Sequence, residues 1–474
     1  MHHKYRLASV SLTLLLAVVF LAAAAGTAAQ KTYVPVGPKK LTVVAGQPFE
    51  PVATSGDSKV SVTLCPEETE PATFTVSYAK PLENVRVAAT GDFVGPGTIG
   101  RLNFEVSRVE GNDLVHDISK TSGAVYALAD IGQKPTQFWL NVTVPKRTPP
   151  GTYKGAIGFY YQNKTFDVVT VQVQVRPLRL LGSSKQYILY TNCGPDGAGD
   201  AQAYADFAGS VAKLGFDSMS ISAGPDDIQS ALQAYTRAGF TRTVPLTTYA
   251  DGTMPSTEDV SKIEAAVQSV GLPGALYFCK DQPINEKDAE LIKVQAYAIR
   301  RARAKAIVTV ADDTVLVLLP SRLHGLNYDT SMQYTQSLIA GEQSRSASMW
   351  QWCWWDAGQS VSQNRINSGM ALWRSGLDGC MPAWNPGVCK PADSLLTEAL
   401  REGIDDTRYI TTYMKALREL KDMKRAKDNE YISATEAYLK SFLNKPLDQI
   451  TVADLRQLRS KMAEYSVNLA AKLK

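Results

Sequence analysis

Near residue 184 the sequence changes from one repeating pattern to another, and this change constrains the fold more than any other feature. Before it, residues 33–178 contain short β-branched or alternating runs, interrupted by Gly and Pro turns and without helical periodicity. Short strands with regular turn signals are typical of all-β domains. We therefore predict a β-sandwich domain over residues 30–178.

After residue 184, strand-like runs alternate with helical ones, a pattern that indicates βαβ units and a parallel sheet. Eight such runs are what a (β/α)8 barrel of the TIM type requires, so we predict this fold over residues 184–390. The predicted strands are residues 187–192, 218–222, 243–247, 275–280, 306–310, 323–328, 348–355 and 379–384.

The two ends of the chain have patterns of their own. A basic start and an apolar run at residues 12–25 precede small residues, which predicts a signal peptide over 1–29, cleaved after Ala29. The mature protein is then secreted or periplasmic; an uncleaved anchor is the alternative. Residues 391–474 are helical in pattern and rich in mixed charge, which predicts a C-terminal helical region.

Composition and motifs exclude several function classes. The formal net charge is only +4, which gives no electrostatic reason to expect nucleic acid or, after signal cleavage, a membrane as partner. Only His116 and His324 lie beyond the signal peptide, so a multi-His metal site is excluded. Neither HExxH nor GxSxG occurs. We predict no metal and no cofactor.

A literal GxGxxG run occupies residues 95–100. The dinucleotide-binding motif needs a helix after it, because the helix amino terminus binds the pyrophosphate. A strand-like run follows here instead, at residues 101–106. We interpret the run as a turn.

The six cysteines are scattered and form no CxxC pair, so zinc-ribbon spacing is absent. An oxidising compartment permits disulfides, and the first pairing to test is Cys380 with Cys389 or Cys353. Small buried apolar side chains are the alternative interpretation, which the sequence leaves open.

Six of the seven tryptophans lie between residues 350 and 384, where two predicted strands end in Trp-Trp-Asp and Ala-Trp-Asn. Barrel active sites lie at the carboxyl ends of the strands, and indole faces beside polar groups suit sugar rings. Core packing is the alternative, and we expect it for Trp350, Trp352 and Trp373. We therefore predict that substrate is bound by residues at these two strand ends and by others on or after predicted barrel strands. They are Trp355, Asp356, Trp384, Asn385, Tyr249, Asn192 and His324.

The fourth predicted strand runs into Lys280, Asp281, Gln282 and Pro283. Charged and polar residues at such a strand end, just before a proline, are where the catalytic groups of a barrel lie. Asp281 is the residue that this pattern singles out, without any reference to a family.

Several separated segments resemble glycoside hydrolase family 123, the bacterial β-N-acetylgalactosaminidases, and its relatives that share the barrel and C-terminal region. In the predicted sandwich they are FWLNVTVP at 138–145 and PGTYKG at 150–155. In the barrel, the run from Arg365 to Trp384 keeps the family's spacing of Arg, Gly, Trp and Asp-Gly. After the barrel, LREGIDDTRYI at 400–410 is similar to the family's helix.

The resemblance implies a substrate-assisted hydrolase of N-acetylhexosamine glycans with an Asp-Glu catalytic pair, and this chain has Asp281-Gln282 there. In the family, the Asp steadies the substrate's 2-acetamido group while the Glu protonates the departing oxygen, a route outside the usual two-carboxylate scheme. Gln282 has nearly the shape of Glu but no acidic proton. The predicted catalytic positions are therefore Asp281 and Gln282, with the general acid missing.

Three functions remain open at this point. The first is a retained hydrolase that uses another acid, such as Asp356 or Glu286, or a substrate whose leaving group needs little protonation. The second is a non-catalytic sugar-binding relative, and the third is a structural protein. A second carboxylate across the pocket would favour the enzyme. For Arg401, Glu402, Asp405 and Tyr409 of the C-terminal helix, we expect ion pairs and packing that tie the tail to the barrel.

Overall fold

The computed structural model of this protein describes residues 40–191, 193, 201–310, 315, 318–320, 323–329, 350–384, 393–423 and 428–473. Two antiparallel sheets precede the barrel. The first sheet has, in spatial order, β1 (Thr42–Gly46), β3 (Thr69–Ser77), β11 (Thr136–Thr143), β7 (Phe104–Glu110) and β8 (Asp113–Val115). The second has β2 (Val60–Leu64), β13 (Lys164–Val175), β12 (Gly151–Tyr161), β4 (Leu82–Ala89), β10 (Val125–Ile131) and β9 (Asp117–Ile118), with β5 (Phe93–Val94) and β6 (Thr98–Ile99) beside β12.

Buried side chains from both N-terminal sheets form one apolar cluster, for example Phe74 and Phe138 from the first and Val87 and Phe159 from the second. Their alternation of buried and exposed positions is the period-two pattern of the sequence. Within these two N-terminal sheets, the described strand pairs are antiparallel except β2 with β13, which is parallel. The GxGxxG run is a turn, as predicted, because it joins the antiparallel pair β5 and β6. A sandwich packing of the two sheets, and a division of the chain at residues 178 and 184, stay predictions.

Eight parallel strands form a nearly closed barrel, which confirms that part of the predicted fold. Each strand pairs with its neighbour, and a single bridge between Ile221 and Leu246 joins the two end strands. In spatial order they are β15 (Ser218–Met219), β14 (Gln186–Leu189), β21 (Gly379–Cys380), β20 (Trp350–Trp354), β19 (Gly325–Asp329), β18 (Lys305–Val310), β17 (Ala275–Phe278) and β16 (Val244–Leu246).

Helices follow most of the barrel strands and form the tail. In the barrel they are α1 (Ala201–Lys213), α2 (Ile228–Arg237), α3 (Thr257–Ser269), α4 (Glu286–Arg301), α5 (Val361–Ile366) and α6 (Leu372–Ser375), with a π-helical turn at Asn367–Ala371. In the tail they are α7 (Leu395–Asp422), α8 (Asn429–Asn444) and α9 (Val452–Lys472). Caps start several of them, such as Ser256 before α3 and Asn285 before α4. No described helix combines the length and apolar character that crossing a bilayer requires.

Alternate residues of the barrel strands face opposite sides. Ile188, Leu276, Phe278, Ile307 and Trp352 form a cluster inside the barrel. Their neighbours along the chain face the surrounding helices, in a separate and larger apolar core: Tyr187, Leu189, Tyr277, Val308 and Cys353 are examples. This alternation decides which side chains can reach a ligand at the mouth of the barrel.

The predicted pairing of Cys380 with Cys353 or Cys389 is wrong. Cys353 and Cys380 are buried thiols on the neighbouring strands β20 and β21, and both face the helices. Cys193 is disulfide-bonded, and Cys389 lies outside the described residues. Cys65 and Cys279 are also buried thiols, in keeping with the alternative interpretation of cysteine as a small apolar side chain.

A buried ion cluster joins the tail to the barrel and to the first sheet. It consists of Arg365 on α5, Glu402 and Asp406 on α7, Arg459 on α9 and Glu70 on β3. Arg365 Nε donates to Asp406 Oδ2 over 2.9 Å, and Arg459 Nη1 lies 2.9 Å from Glu402 Oε2. Arg459 also pairs with Asp406 and Glu70. Buried charges are stable only when paired in this way.

The expectation for the 400–410 helix is confirmed by its contacts. Arg401 pairs with Glu398 and with Asp405, at 2.6 and 3.3 Å. The Tyr409 hydroxyl donates to Glu68 Oε2, just before β3, over 2.8 Å. The helix therefore ties the tail to the N-terminal sheets as well as to the barrel.

Gly403 of α7 allows this helix to pack closely against the barrel. A Cβ at this position would lie 2.0 Å from Ser368 Oγ and 2.7 Å from the Arg365 carbonyl oxygen. Gly403→Ala is therefore expected to lower the free energy of unfolding by about 1–3 kcal/mol, measured by urea denaturation. The matched control is Gly209→Ala in α1, where a Cβ has no neighbour within 4 Å. There the higher helix propensity of Ala should raise stability by up to about 1 kcal/mol. Equal effects of the two changes would contradict the close packing at Gly403.

Candidate functional site

Asp281 and Gln282 lie just past the carboxyl end of β17, the fourth strand of the barrel, as the sequence predicts. Two backbone bonds hold them there: the Asp281 N–H donates to the Ala250 carbonyl over 2.8 Å, and the Gln282 N–H donates to the Thr309 carbonyl over 3.1 Å. Gln282 has a φ of 47°, in the left-handed region that residues with a side chain rarely adopt. Such conformations are retained where the surrounding structure imposes them, often at functional sites.

The carboxylate of Asp281 is only half satisfied. Its Oδ2 accepts a hydrogen bond from the Tyr190 hydroxyl over 2.8 Å. Its Oδ1 is buried and has no hydrogen bond of good geometry within the described part of the chain. Burial raises the pKa of Asp281, while the Thr309 and Tyr190 hydroxyls and the Gln282 N–H act in the opposite direction.

Further polar groups face the barrel interior beside Asp281. Asn327 is fully buried on β19, and its Nδ2 donates to Thr309 Oγ1 over 3.2 Å, while its Oδ1 has no partner among the described residues. Trp354 ends β20 two residues after the interior residue Trp352, so it faces the same side. Its indole N–H is also buried and unpaired within the described ranges. A ligand at this mouth would meet unsatisfied acceptors and donors.

Tyr190, Thr309, Asn327 and Trp354 were not among the predicted site residues. The signal that could have found Trp354 is the period of two along Trp350, Trp352 and Trp354. Tyr190, Thr309 and Asn327 carry no motif of their own. Only the strand order brings them to Asp281.

Trp355 and Tyr249, two predicted substrate-binding residues, are placed in the helix-facing core instead. Trp355 is buried, and its indole N–H donates to Asn364 Oδ1 of α5 over 3.0 Å. Tyr249 stacks on Tyr277 with ring centroids 6.2 Å apart, and both belong to that core. The prediction is corrected for both. Trp355 directly follows β20, where strand alternation turns it away from the barrel interior, whereas Tyr249 lies in the turn after β16.

Trp384 and Asp356 lie at the carboxyl ends of their strands, as predicted. Trp384 is partly buried, and its backbone N–H donates to the Tyr190 carbonyl over 2.8 Å. Its ring packs against the helix-facing core, as that of Trp355 does, which corrects its predicted place on the wall of the site. Asp356 is exposed, and both of its carboxylate oxygens accept bonds from its own loop, from the Gly358 N–H at 2.8 Å and from Gln359 Nε2 at 3.0 Å. The predicted residues Asn192 and Asn385 lie outside the described residues.

His324 lies at the opposite end of the barrel from Asp281, which corrects its predicted place in the site. It immediately precedes β19, and its N–H donates to the carbonyl of Ala306 near the start of β18. A histidine on a predicted strand faces either mouth depending on whether it begins or ends that strand. The predicted strand, 323–328, began two residues too early to decide this.

Comparison with known proteins identifies the architecture. No family model and no curated protein matches the sequence. Among solved structures, a family 123 glycoside hydrolase from Clostridium perfringens superposes with a TM-score of 0.64 over 91% of this chain and 100% of its own, at 11% identity. A Bacteroides ovatus GH5 xyloglucanase reaches a TM-score of 0.30, at 9% identity, over 77% of this chain and 100% of its own.

The chain has the fold of a family 123 glycoside hydrolase. An identity of 11% supports the fold and no more, but it agrees with the resemblance that the separated motifs carry. The assignment of Asp281 and Gln282 as the catalytic positions of this fold stays a prediction.

The groups that most affect the pKa of Asp281 include no second carboxylate. Besides burial, the largest influences on its pKa come from Thr309, Tyr190, the Gln282 N–H and Lys280, and none of these is a carboxylate. Glu286 begins α4 and is exposed. Within the described ranges, no three His, Cys, Asp or Glu side chains converge as a metal site would require.

Proposed function

We propose that this chain is an exported protein that binds N-acetylhexosamine-containing glycans at the carboxyl mouth of its barrel. Its substrate-assisted hydrolysis is impaired because Gln282, which has no acidic proton, stands at the position of the general acid. The observation that carries the proposal is the Asp281 carboxylate: Tyr190 donates to one oxygen, and the other is buried with no hydrogen bond of good geometry among the described residues. Leaving a buried acceptor unsatisfied costs about 1–3 kcal/mol, so a donor on the ligand gains that much by pairing with it.

A 2-acetamido group has the donor that this site lacks. Its N–H can bond to Asp281 Oδ1, and its carbonyl oxygen then needs a donor of its own. The indole N–H of Trp354 is buried, has no partner among the described residues and faces the barrel interior, so it can supply that donor. The apolar indole faces suit the C–H face of the sugar ring.

Binding without efficient hydrolysis fits the described residues better than a retained hydrolase. The alternative acids, Asp356 and Glu286, are exposed, and Asp356 is engaged by its own loop. A retained hydrolase that uses one of them, or a structural role, is the alternative that the experiments below exclude or establish.

Two further observations support a glycan ligand and an exported protein. The Clostridium perfringens structure belongs to an enzyme that hydrolyses glycolipid glycans. The basic and apolar start of this chain, with small residues up to Ala29, has the composition of a signal peptide. Secretion, or export to the periplasm, is therefore part of the proposal.

Binding of N-acetylgalactosamine is expected to weaken as the pH falls from neutral. Asp281 accepts the amide N–H most strongly when ionised, and its raised pKa places the weakening at a higher pH than for an exposed aspartate. Calorimetric titrations at a series of pH values measure this, with Asp281→Asn at least about 10-fold weaker at pH 7. The control Asp130→Asn, an exposed carboxylate on the N-terminal sheets, should bind normally. A pH-independent affinity, or full affinity in Asp281→Asn, would refute the assignment.

A further inference from the structure

A cavity of about 320 Å³ lies at the amino-terminal mouth of the barrel. Its walls come from the beginnings of barrel strands: Lys305 starts β18, His324 precedes β19, Trp350 starts β20 and Thr243 precedes β16. It is therefore at the opposite end from Asp281. A volume of this size is at the lower end of the range for small-molecule sites, about 300–1,000 Å³.

Two stacked indole rings form one wall of this cavity. Trp350 and Trp352 have ring centroids 5.8 Å apart and planes 16° from parallel. Trp352 is fully buried, and its indole N–H donates to Gln186 Oε1 over 3.3 Å, while Trp350 is partly exposed. The ring of Trp352 lies across β19 at Gly325, where a Cβ would be 2.1 Å from its Cζ3. Glycine therefore makes room for this rigid aromatic surface.

The rest of the lining is polar, with an excess of positive charge. Arg242 and Lys305 are permanent cations, and Asp217 is the one carboxylate in the lining. Asp217 Oδ2 already accepts the Tyr187 N–H over 3.0 Å, and its Oδ1 is 3.8 Å from Arg242 Nε. Among the described residues Lys305 has no carboxylate within ion-pair distance, and its charge acts on the pKa of Glu264, which does not line the cavity. Its ammonium group is thus available to an anion.

We propose that this cavity is a second carbohydrate site, which binds an acidic pyranose of the hexuronate class. The C–H face of the ring packs on Trp350, the carboxylate pairs with Lys305 and Arg242, and the hydroxyl groups bond to Thr243 and to Thr241, which also lines the cavity. The hydroxyl-bearing rim favours a sugar acid over an aromatic acid. This site uses none of the residues around Asp281 and does not depend on the function proposed for them.

Calorimetric titration of the full chain with glucuronate tests the proposal. We expect a dissociation constant on the order of 1 mM, and at least about 10-fold weaker binding of methyl glucoside, of acetate and of benzoate. Lys305→Met and Trp350→Ala should each weaken glucuronate binding at least about 10-fold. Lys164→Met, at an exposed lysine of the N-terminal sheets, is the matched control and should bind normally.

The two mouths of the barrel are distinguished by Asp281→Asn. This variant should keep its glucuronate affinity while it loses N-acetylgalactosamine, whereas Lys305→Met should show the reverse. Should Trp350→Ala fail to fold, Lys305→Met still tests the site, because Lys305 is exposed. Absence of binding, equal affinity for methyl glucoside or benzoate, or loss of glucuronate binding in Asp281→Asn would each overturn the proposal.

Discussion

Replacing Gln282 with glutamate is expected to raise the rate of hydrolysis of an alkyl N-acetylhexosaminide by about 10²–10⁴-fold, the usual contribution of a positioned general acid. An alkyl leaving group demands protonation, so its rate reports the acid directly. An activated aryl glycoside needs little protonation, so its rate should change much less. Steady-state rates on both substrates, for both proteins, measure this difference.

The structure provides two reasons why the new carboxyl group would act as an acid. The backbone at Gln282 is held by the Thr309 carbonyl and by its left-handed conformation, so a glutamate side chain of the same length keeps its direction. A carboxyl group beside the ionised Asp281 has its pKa raised by like-charge repulsion, which keeps it protonated near neutral pH. The double variant Asp281→Asn with Gln282→Glu should lose the gain, because the acetamido group loses its anionic partner.

Brisk hydrolysis of the alkyl glycoside by the wild-type protein would give the opposite conclusion. It would show that another residue supplies the proton, with Asp356 and Glu286 the first to replace by Asn and Gln. The proposal of impaired hydrolysis would then have to be abandoned.

Arg459→Met is expected to lower the free energy of unfolding by about 3–5 kcal/mol, because it leaves buried carboxylates without their cation. Arg459 is within 2.9 Å of both Glu402 and Asp406, and its side chain is almost fully buried. Arg365 would then be the remaining partner of Asp406 among the described residues, while Glu402 would keep Arg365 and Arg401. Urea denaturation, followed by circular dichroism, measures the change.

Arg456→Met on the same helix is the matched control. Arg456 pairs with Glu50 at the surface, and exposed ion pairs contribute only about 0–1 kcal/mol. A small effect of both substitutions would contradict the view that the buried ion cluster holds the tail in place. A large effect of Arg456→Met would show that the surface contact matters instead.

The barrel and the position of Asp281 in it could be predicted from the sequence alone. A change from period two to alternating strand and helix patterns depends only on local spacing, and the structure follows it within a few residues. Asp281 was found because a polar group directly after an apolar strand must lie at that strand's carboxyl end. The ion pairs within the 400–410 helix could also be predicted from the sequence, because their residues lie one helical turn apart.

Which side chains meet at the mouth depends on the tertiary structure and could not be predicted from the sequence. Tyr190 and Asp281 are 91 residues apart, and their contact depends on the strand order, which no local pattern contains. Trp354 faces inward and Trp355 outward because neighbouring residues of a strand point to opposite sides. An error of one residue in the predicted alternation therefore assigns the wrong tryptophan to the barrel interior. His324 was misplaced for a related reason: strand boundaries are the least certain part of a sequence-based prediction, and the boundary decides which mouth a residue faces.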